Sequence, residues 1–294
     1  MLWCDNIARC LFTIELPISI VTSFFGALLS CDHFQKREKG HMIRLENIRY
    51  HSILSNIDLH LEKGKIVMLL GENGCGKTTL IKCLLQLISY DGKVYFQDRL
   101  INDLDKRSLA EIFSYVPQIK TLVDHISVLE FVVAGRTRFL PSYQTPSDKD
   151  YDIALNALKE FGLEHLKNRS MFEISGGELQ LCYVARSIVQ EANILVMDEP
   201  CTFLDYEKQY RFMERIKTLR SDDKMILISI HDPNLAIRYA DEIVFMKDGK
   251  IFDTLEKKDS EFIEKFCEIY NQLFSNHFAY DKNSNLIYWK FEDR

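Results

Sequence analysis

Two hydrophobic rhythms run through the chain from residue 42 onward. Ile43, Leu45, Ile48, then Ile53-Leu54, Ile57, Leu59 and Leu61 alternate with polar neighbours. A period of two is the spacing of half-buried strands, and here it predicts antiparallel pairing. Later apolar runs lack that alternation: Ile66 to Leu70, Ile194 to Met197, and Met225 to Ile230. Each ends abruptly in glycine or polar residues, as buried strands do at their tips. Ile112 to Gln118 reads as a further strand stopped by Pro117. Between these lie segments of helical period: Leu80-Ile81, Leu84-Leu85 and Leu87-Ile88; Val128 to Leu140; Tyr151 to Leu166, with Ala154, Leu155, Leu158 and Phe161 on one face; and Leu181 to Val189. Asp91-Gly92 and Asp248-Gly249 predict hairpin turns. Phe262 to Phe274 predicts a helix and Asn285 to Phe291 a strand, with Trp289 in the core. The pattern is that of an α/β protein.

Residues 11–30, LFTIELPISIVTSFFGALLS, belong to neither rhythm. They are apolar almost throughout and reach the roughly 20 residues that span a bilayer. His33, Lys36, Arg37 and Lys39 follow, which places the downstream side in the cytoplasm by the positive-inside rule. A single basic residue before the core, Arg9, makes a cleaved signal peptide a poorer description.

Composition narrows the picture only a little. The chain has 294 residues, 27% of them charged and 47% hydrophobic, with a net charge of −6. That is a globular composition, and the acidic balance argues against nucleic acid as the main partner. The eight cysteines are scattered without a C-x-x-C pair, which argues against a zinc site. Cys75 lies inside the loop described next and points to a reducing compartment.

The chemistry centres on Gly71-Glu72-Asn73-Gly74-Cys75-Gly76-Lys77-Thr78-Thr79, set between an apolar strand and a helix. G-x-x-x-x-G-K-T is the phosphate-binding loop. Its glycines let successive N–H groups face an anion, and the helix start adds positive partial charge. Lys77 can reach the β- and γ-phosphates of ATP, and the Thr78 hydroxyl can ligate Mg²⁺. Downstream, Ile174-Ser175-Gly176-Gly177-Glu178 opens a helix whose N–H groups can also hold an anion. Asp198-Glu199 ends one apolar strand and His231-Asp232 ends another, which is where parallel sheets bind ligands.

Together these segments resemble the ATP-binding-cassette (ABC) family: a P-loop ATPase with a mixed β-sheet core, an antiparallel β subdomain and a helical subdomain of about residues 119–190. The resemblance implies roles for particular residues. Tyr50 would stack on adenine, and Gln118 would touch Mg²⁺ or the attacking water. Asp198 would hold Mg²⁺ through water, Glu199 would orient or deprotonate the attacking water, and His231 would contact the γ-phosphate. Ser175, Gly176 and Gly177 would bind the γ-phosphate held by a second ATPase copy. The result is a head-to-tail dimer whose interface Asp205 helps cross. Ile174 and Glu178 stand where leucine and glutamine are commoner.

A second resemblance is narrower. Arg9, Glu15-Leu16-Pro17-Ile18-Ser19-Ile20-Val21-Thr22 and Phe25-Gly26-Ala27 look like the C-terminal end of permeases that import iron–siderophore complexes, haem and cobalamin. Ser19 and Leu28 replace a glycine and a proline of that pattern. The segment from Val128 to Thr137, with Pro146-Ser147 and Asp150, is similar to the ATPases of the same importers. The expected division is therefore 1–41, a permease-tail-like segment with one extra hydrophobic helix; 42–254, the ATPase; and 255–294, a small addition. The expected partners are membrane permease subunits and, indirectly, a substrate-binding protein, at the cytoplasmic face of the membrane. Two other readings stand beside this one: a non-transport ABC ATPase of the iron–sulfur assembly type, and an orphaned fusion remnant.

Overall fold

The computed structural model describes residues 41–118, 126–141, 144–274, 278–281, 284 and 286–290. The permease-like stretch 1–40 lies outside them. No helix among the described residues is long and apolar enough to cross a membrane.

The alternating segments form β1 (His41–Tyr50) and β2 (Leu54–Glu62), which pair antiparallel and join β4 (Asp91–Phe96) and β5 (Arg99–Leu100) in the order β2-β1-β4-β5. Their buried side chains skip a beat, from Leu45 to Ile48 and from Leu54 to Ile57. Asn47 and Asn56 take positive φ (54° and 51°) at these irregularities. Each absorbs one residue, as a β-bulge does, so the next apolar side chain returns to the core face.

The later runs build the second sheet: β3 (Ile66–Gly71), β6 (Phe113–Val116), β7 (Ile194–Asp198), β8 (Met225–Ile230), β9 (Glu242–Lys247) and β10 (Lys250–Glu256), in the order β10-β9-β3-β8-β7-β6. All neighbours are parallel except β9 and β10. Both faces of this sheet are covered, which is why its central strands carry no polar alternation. Ile66, Met68 and Leu70 face one core together with Ile226, Ile228 and Ile230; Val67 and Leu69 face the other with Met225 and Leu227. The first core is closed by α6 (Tyr206–Thr218), α7 (Pro233–Tyr239) and α8 (Phe262–Phe274), the second by α1 (Lys77–Leu84) and the antiparallel sheet.

A third core lies among α3 (Val128–Val133), α4 (Asp148–Glu160) and α5 (Gly176–Val189). The short α2 (Lys106–Ile112) leads into β6. The last strands, β11 (Phe278–Asp281) and β12 (Leu286–Trp289), pair as a separate hairpin.

Three expectations change. Asp91-Gly92 is not a hairpin turn but the start of β4; the turn is Gln97-Asp98, at φ 47° and 67°, with Phe96 paired to Arg99. Two consecutive positive φ values give the twist that a two-residue hairpin needs. The helix expected from Tyr151 to Leu166 starts at Asp148 and stops at Glu160; Gly162 follows with φ 71°, and Glu164–Leu166 is a separate 3₁₀ turn. Val128 to Leu140 is helical only to Val133 and continues as a 3₁₀ turn over Ala134–Phe139. There Arg136 is buried, bonded to Asp150 (3.2 Å), the Val189 carbonyl (2.8 Å) and Glu191 (2.7 Å). The tightened turn aims its guanidinium at the end of α5.

The helices of the third core begin alike. Glu130, Asp150 and Glu178 each reach back three residues to accept from the N–H and hydroxyl of Ser127, Ser147 and Ser175, at 2.6–2.9 Å. The serine hydroxyl, and then the serine N–H, holds each carboxyl below its ordinary value. A depressed folded value means the contribution to stability is full above the unfolded value and fades as pH falls through the folded one. We expect amide protection in the first turns of α3, α4 and α5 to decline below about pH 4.5, before that of β3, β7 and β8. Hydrogen exchange across a pH series checks this; helices and strands losing protection together would refute it.

Candidate active site

Parallel register places the site. Leu70 pairs with Ile230, Ser229 with Asp198, and Met197 with Val116. The residues just beyond four strand ends therefore share one edge of the sheet: the P-loop after β3, His231 after β8, Glu199 after β7 and Gln118 after β6.

The P-loop turns tightly into α1. Gly74 and Gly76 have φ 82° and 108°, and a Cβ on Gly76 would lie 2.8 Å from Leu54 Cδ2. Only glycine takes this path at no steric cost. Lys77 is buried at 5% exposure, and its Nζ donates to the carbonyls of Gly71 (2.8 Å) and Glu72 (3.0 Å). The lysine thus occupies its own loop. Cys75 is buried beside it, and burial pushes the thiol up against the opposing pull of Lys77. Glu72, Asn73 and Gly74 are exposed; Thr78 and Thr79 are half-buried. Tyr50 is half-buried at the end of β1, edge-on to His51 at 4.4 Å. The turn that follows it brings Ile53 and Leu54 against Gly76.

Glu199 is the meeting point of the strand ends. Gln118 Nε2 donates to its Oε2 at 2.7 Å, and His231 Nε2 pairs with its Oε1. Glu199 itself has φ 50°, unusual for a residue with a side chain. Its N–H is held by Ser229 Oγ at 2.9 Å, and the same hydroxyl donates to Asp198 Oδ1 at 2.5 Å. Asp198 Oδ2 is buried without a hydrogen-bond partner. A carboxylate oxygen left bare at a depth of 1% exposure suits a site meant for a cation or its water.

Ser229 was not foreseen. It is wholly buried and ties both acids to the neighbouring strand. Its signal was present: it is the one hydroxyl in the otherwise apolar strand MILISI.

The second anion-binding motif lies elsewhere. Ser175 caps α5, and its hydroxyl donates to Glu178 at 2.7 Å. Gly176 and Gly177 lie against Phe203 and Leu204. Among the described residues no hydrogen bond joins Ser175, Gly176 or Gly177 to the P-loop. Asp205 caps α6 through the Lys208 N–H (2.9 Å) and pairs with the Lys208 ammonium (2.8 Å). No three acidic, histidine or cysteine side chains among the described residues form a metal cage.

Residues 54–202 match the ABC transporter family. The chain belongs to that family. An ABC transporter ATP-binding protein of Haemophilus influenzae is 38% identical over 220 residues, covering 74% of this chain and 84% of that one. The achromobactin transport ATP-binding protein of Dickeya dadantii is 32% identical over 68% of this chain and 76% of its own length. The petrobactin import ATP-binding protein of Bacillus anthracis is 31% identical over 68% and 74%. Among solved structures, an ATP-binding cassette captured as a post-hydrolysis dimer with ADP and Pi superposes with a TM-score of 0.66 at 26% identity, covering 74% of this chain and all of that one. A metal-chelate type ABC transporter in an inward-facing conformation gives 0.69 at 26% identity, covering 85% and 96%. This ABC chain is therefore an ATPase with the family's P-loop fold.

Ser229→Ala removes one donor and one acceptor from a buried network, and each stranded group costs about 1–3 kcal/mol. We expect the free energy of unfolding to fall by that amount, measured by denaturant titration, and ATP hydrolysis to be reduced well beyond the folded fraction. A variant with wild-type stability and turnover would show that the network does not hold Asp198 and Glu199.

Proposed function

We propose that this chain energises import of an iron(III)–siderophore or a related chelate, working as a head-to-tail pair beneath membrane permease subunits at the cytoplasmic face of the membrane. The observation that carries the chemistry is Glu199, held between Gln118 and His231 at the strand ends beside the P-loop lysine. The names of the Dickeya and Bacillus relatives support the cargo. Haem and cobalamin are the other cargoes of the importer class that the residue pattern resembles, and a substrate-binding protein would deliver them.

ATP exchanges the Lys77 bonds to Gly71 and Glu72 for bonds to its β- and γ-phosphates. Tyr50 stacks on the base, an interaction worth about 1–3 kcal/mol. Thr78, Asp198 and Gln118 would hold Mg²⁺, which when bound neutralises phosphate charge. Glu199 turns from its resting partners to the attacking water, a general-base role worth about 10²–10⁴ in rate. His231 then contacts the γ-phosphate. The partner copy contributes its own Ser175-Gly176-Gly177 motif, and Asp205 lies along the joint. ATP shifts the equilibrium because it has this extra set of contacts only in the closed pair.

Within this reading, residues 42–254 are the ATPase and 255–294 its addition. The stretch 1–41 is read as a permease-derived leader on the residue pattern alone. N-terminal mass spectrometry tests it: only protein starting at Met42 would remove it.

Glu199→Gln should bind ATP and dimerise while turnover falls by about 10² or more. Phosphate release and light scattering measure the two separately. Wild-type-like hydrolysis would reassign the base. Loss of ⁵⁵Fe–siderophore accumulation in cells lacking the chain, restored by wild type but not by Glu199→Gln, tests the cargo.

A further inference from the structure

One contact of the C-terminal addition falls three residues from His231. His231 sits between β8 and α7, and α7 is only seven residues long. A helix so short has little stability of its own and takes its place from what it packs against. Asp232 caps it by accepting from the Asn234 N–H at 2.8 Å. The Asn234 side chain then reaches out of α7 to the hairpin. Its Oδ1 accepts from the Ile287 N–H at 2.7 Å, and its Nδ2 donates to the Ile287 carbonyl at 3.3 Å. One amide thus engages both backbone groups of one residue in β12, as a neighbouring strand would. Ile287 is 6% exposed and lies in the same core as Leu235 and Ala236 of α7.

The other strand of the hairpin is held in the same way by a different helix. Asn271 of α8 accepts from the Phe278 N–H at 2.9 Å and donates to the Phe278 carbonyl at 3.0 Å. α8 is in turn seated on the sheet, with Phe266 fully buried against Phe245 of β9 at 5.4 Å. β9 is the neighbour of β3, the strand that leads into the P-loop. The hairpin is thus gripped from two sides, by Asn271 of α8 and by Asn234 of α7.

We propose that Asn234 is a positioning residue for His231: through it, the C-terminal hairpin holds the start of α7 so that the histidine meets Glu199. This rests on the reading of His231 as part of the hydrolytic site. Asn234 does not touch the reacting atoms. It fixes the helix start three residues beyond the histidine, and displacement of a reacting group by about 1 Å can cost up to about 10² in rate.

The two asparagines provide a matched pair for the test, since each makes two bonds to one strand of the same hairpin. In full-length protein, Asn234→Ala should lower kcat about tenfold and leave KM for ATP within about twofold. Asn271→Ala should lose a similar amount of melting temperature and keep kcat. Asn234→Asp keeps the acceptor for the Ile287 N–H but sets a carboxylate oxygen against the carbonyl; it should lower kcat too, and it replaces Asn234→Ala if that variant does not fold. His231→Ala is measured beside them. Wild-type turnover in His231→Ala would overturn the reading of the histidine itself. Inactive His231→Ala, with the Asn234 variants matching Asn271→Ala in kcat, would overturn the positioning role alone.

Discussion

Parallel pairing of β3, β8, β7 and β6 is the constraint on which this protein depends. Adjacent strands lie about 4.8 Å apart, and their registers stop within a residue or two of one another. Side chains that follow the four ends are therefore within reach without long loops. Ser229 then locks two of those strands together at the edge, holding Asp198 Oδ1 with its proton and the Glu199 N–H with its lone pair. The positive φ of Glu199 follows from this: the chain must turn sharply to leave its carboxylate between Gln118 and His231 while its N–H points back at the serine.

The side chains of the P-loop and the strand ends are bonded largely to one another. Lys77 is spent on P-loop carbonyls, both Glu199 oxygens are engaged, and the Ser175 hydroxyl is given to Glu178. Each bond is exchangeable for one to a phosphate or a water. Asp198 Oδ2 is left bare. The signature helix α5 is anchored at both ends, by its serine–glutamate cap and by the buried Arg136 at the Val189 carbonyl. It is thus presented as a firm surface, apart from the P-loop of its own chain.

The main element types and the P-loop were legible in the residue pattern because each rests on local physics. Short apolar runs that end in glycine or polar residues fit strands buried on both faces. The P-loop glycines and lysine sit at fixed offsets within nine residues. The places where the reading slipped were also local, but decided by competing contacts. Asp91-Gly92 has the chemistry of a hairpin turn, yet β4 needs those residues to pair with β1, and the turn moved to Gln97-Asp98. Helical period continues through Phe161 and Leu166, yet Gly162 takes the left-handed conformation and ends α4.

By itself, then, the sequence determined the P-loop and the family, and which strand end each candidate site residue follows. It could not say that Ser229 holds both acids or that Asn234 and Asn271 grip the two strands of one hairpin. Those are contacts across 31, 30, 53 and 7 residues of chain. The first two arise where the sheet order brings separate strands side by side and the others where a helix meets the hairpin, and a polar side chain in an apolar strand or a helix carries no mark of which partner it will find.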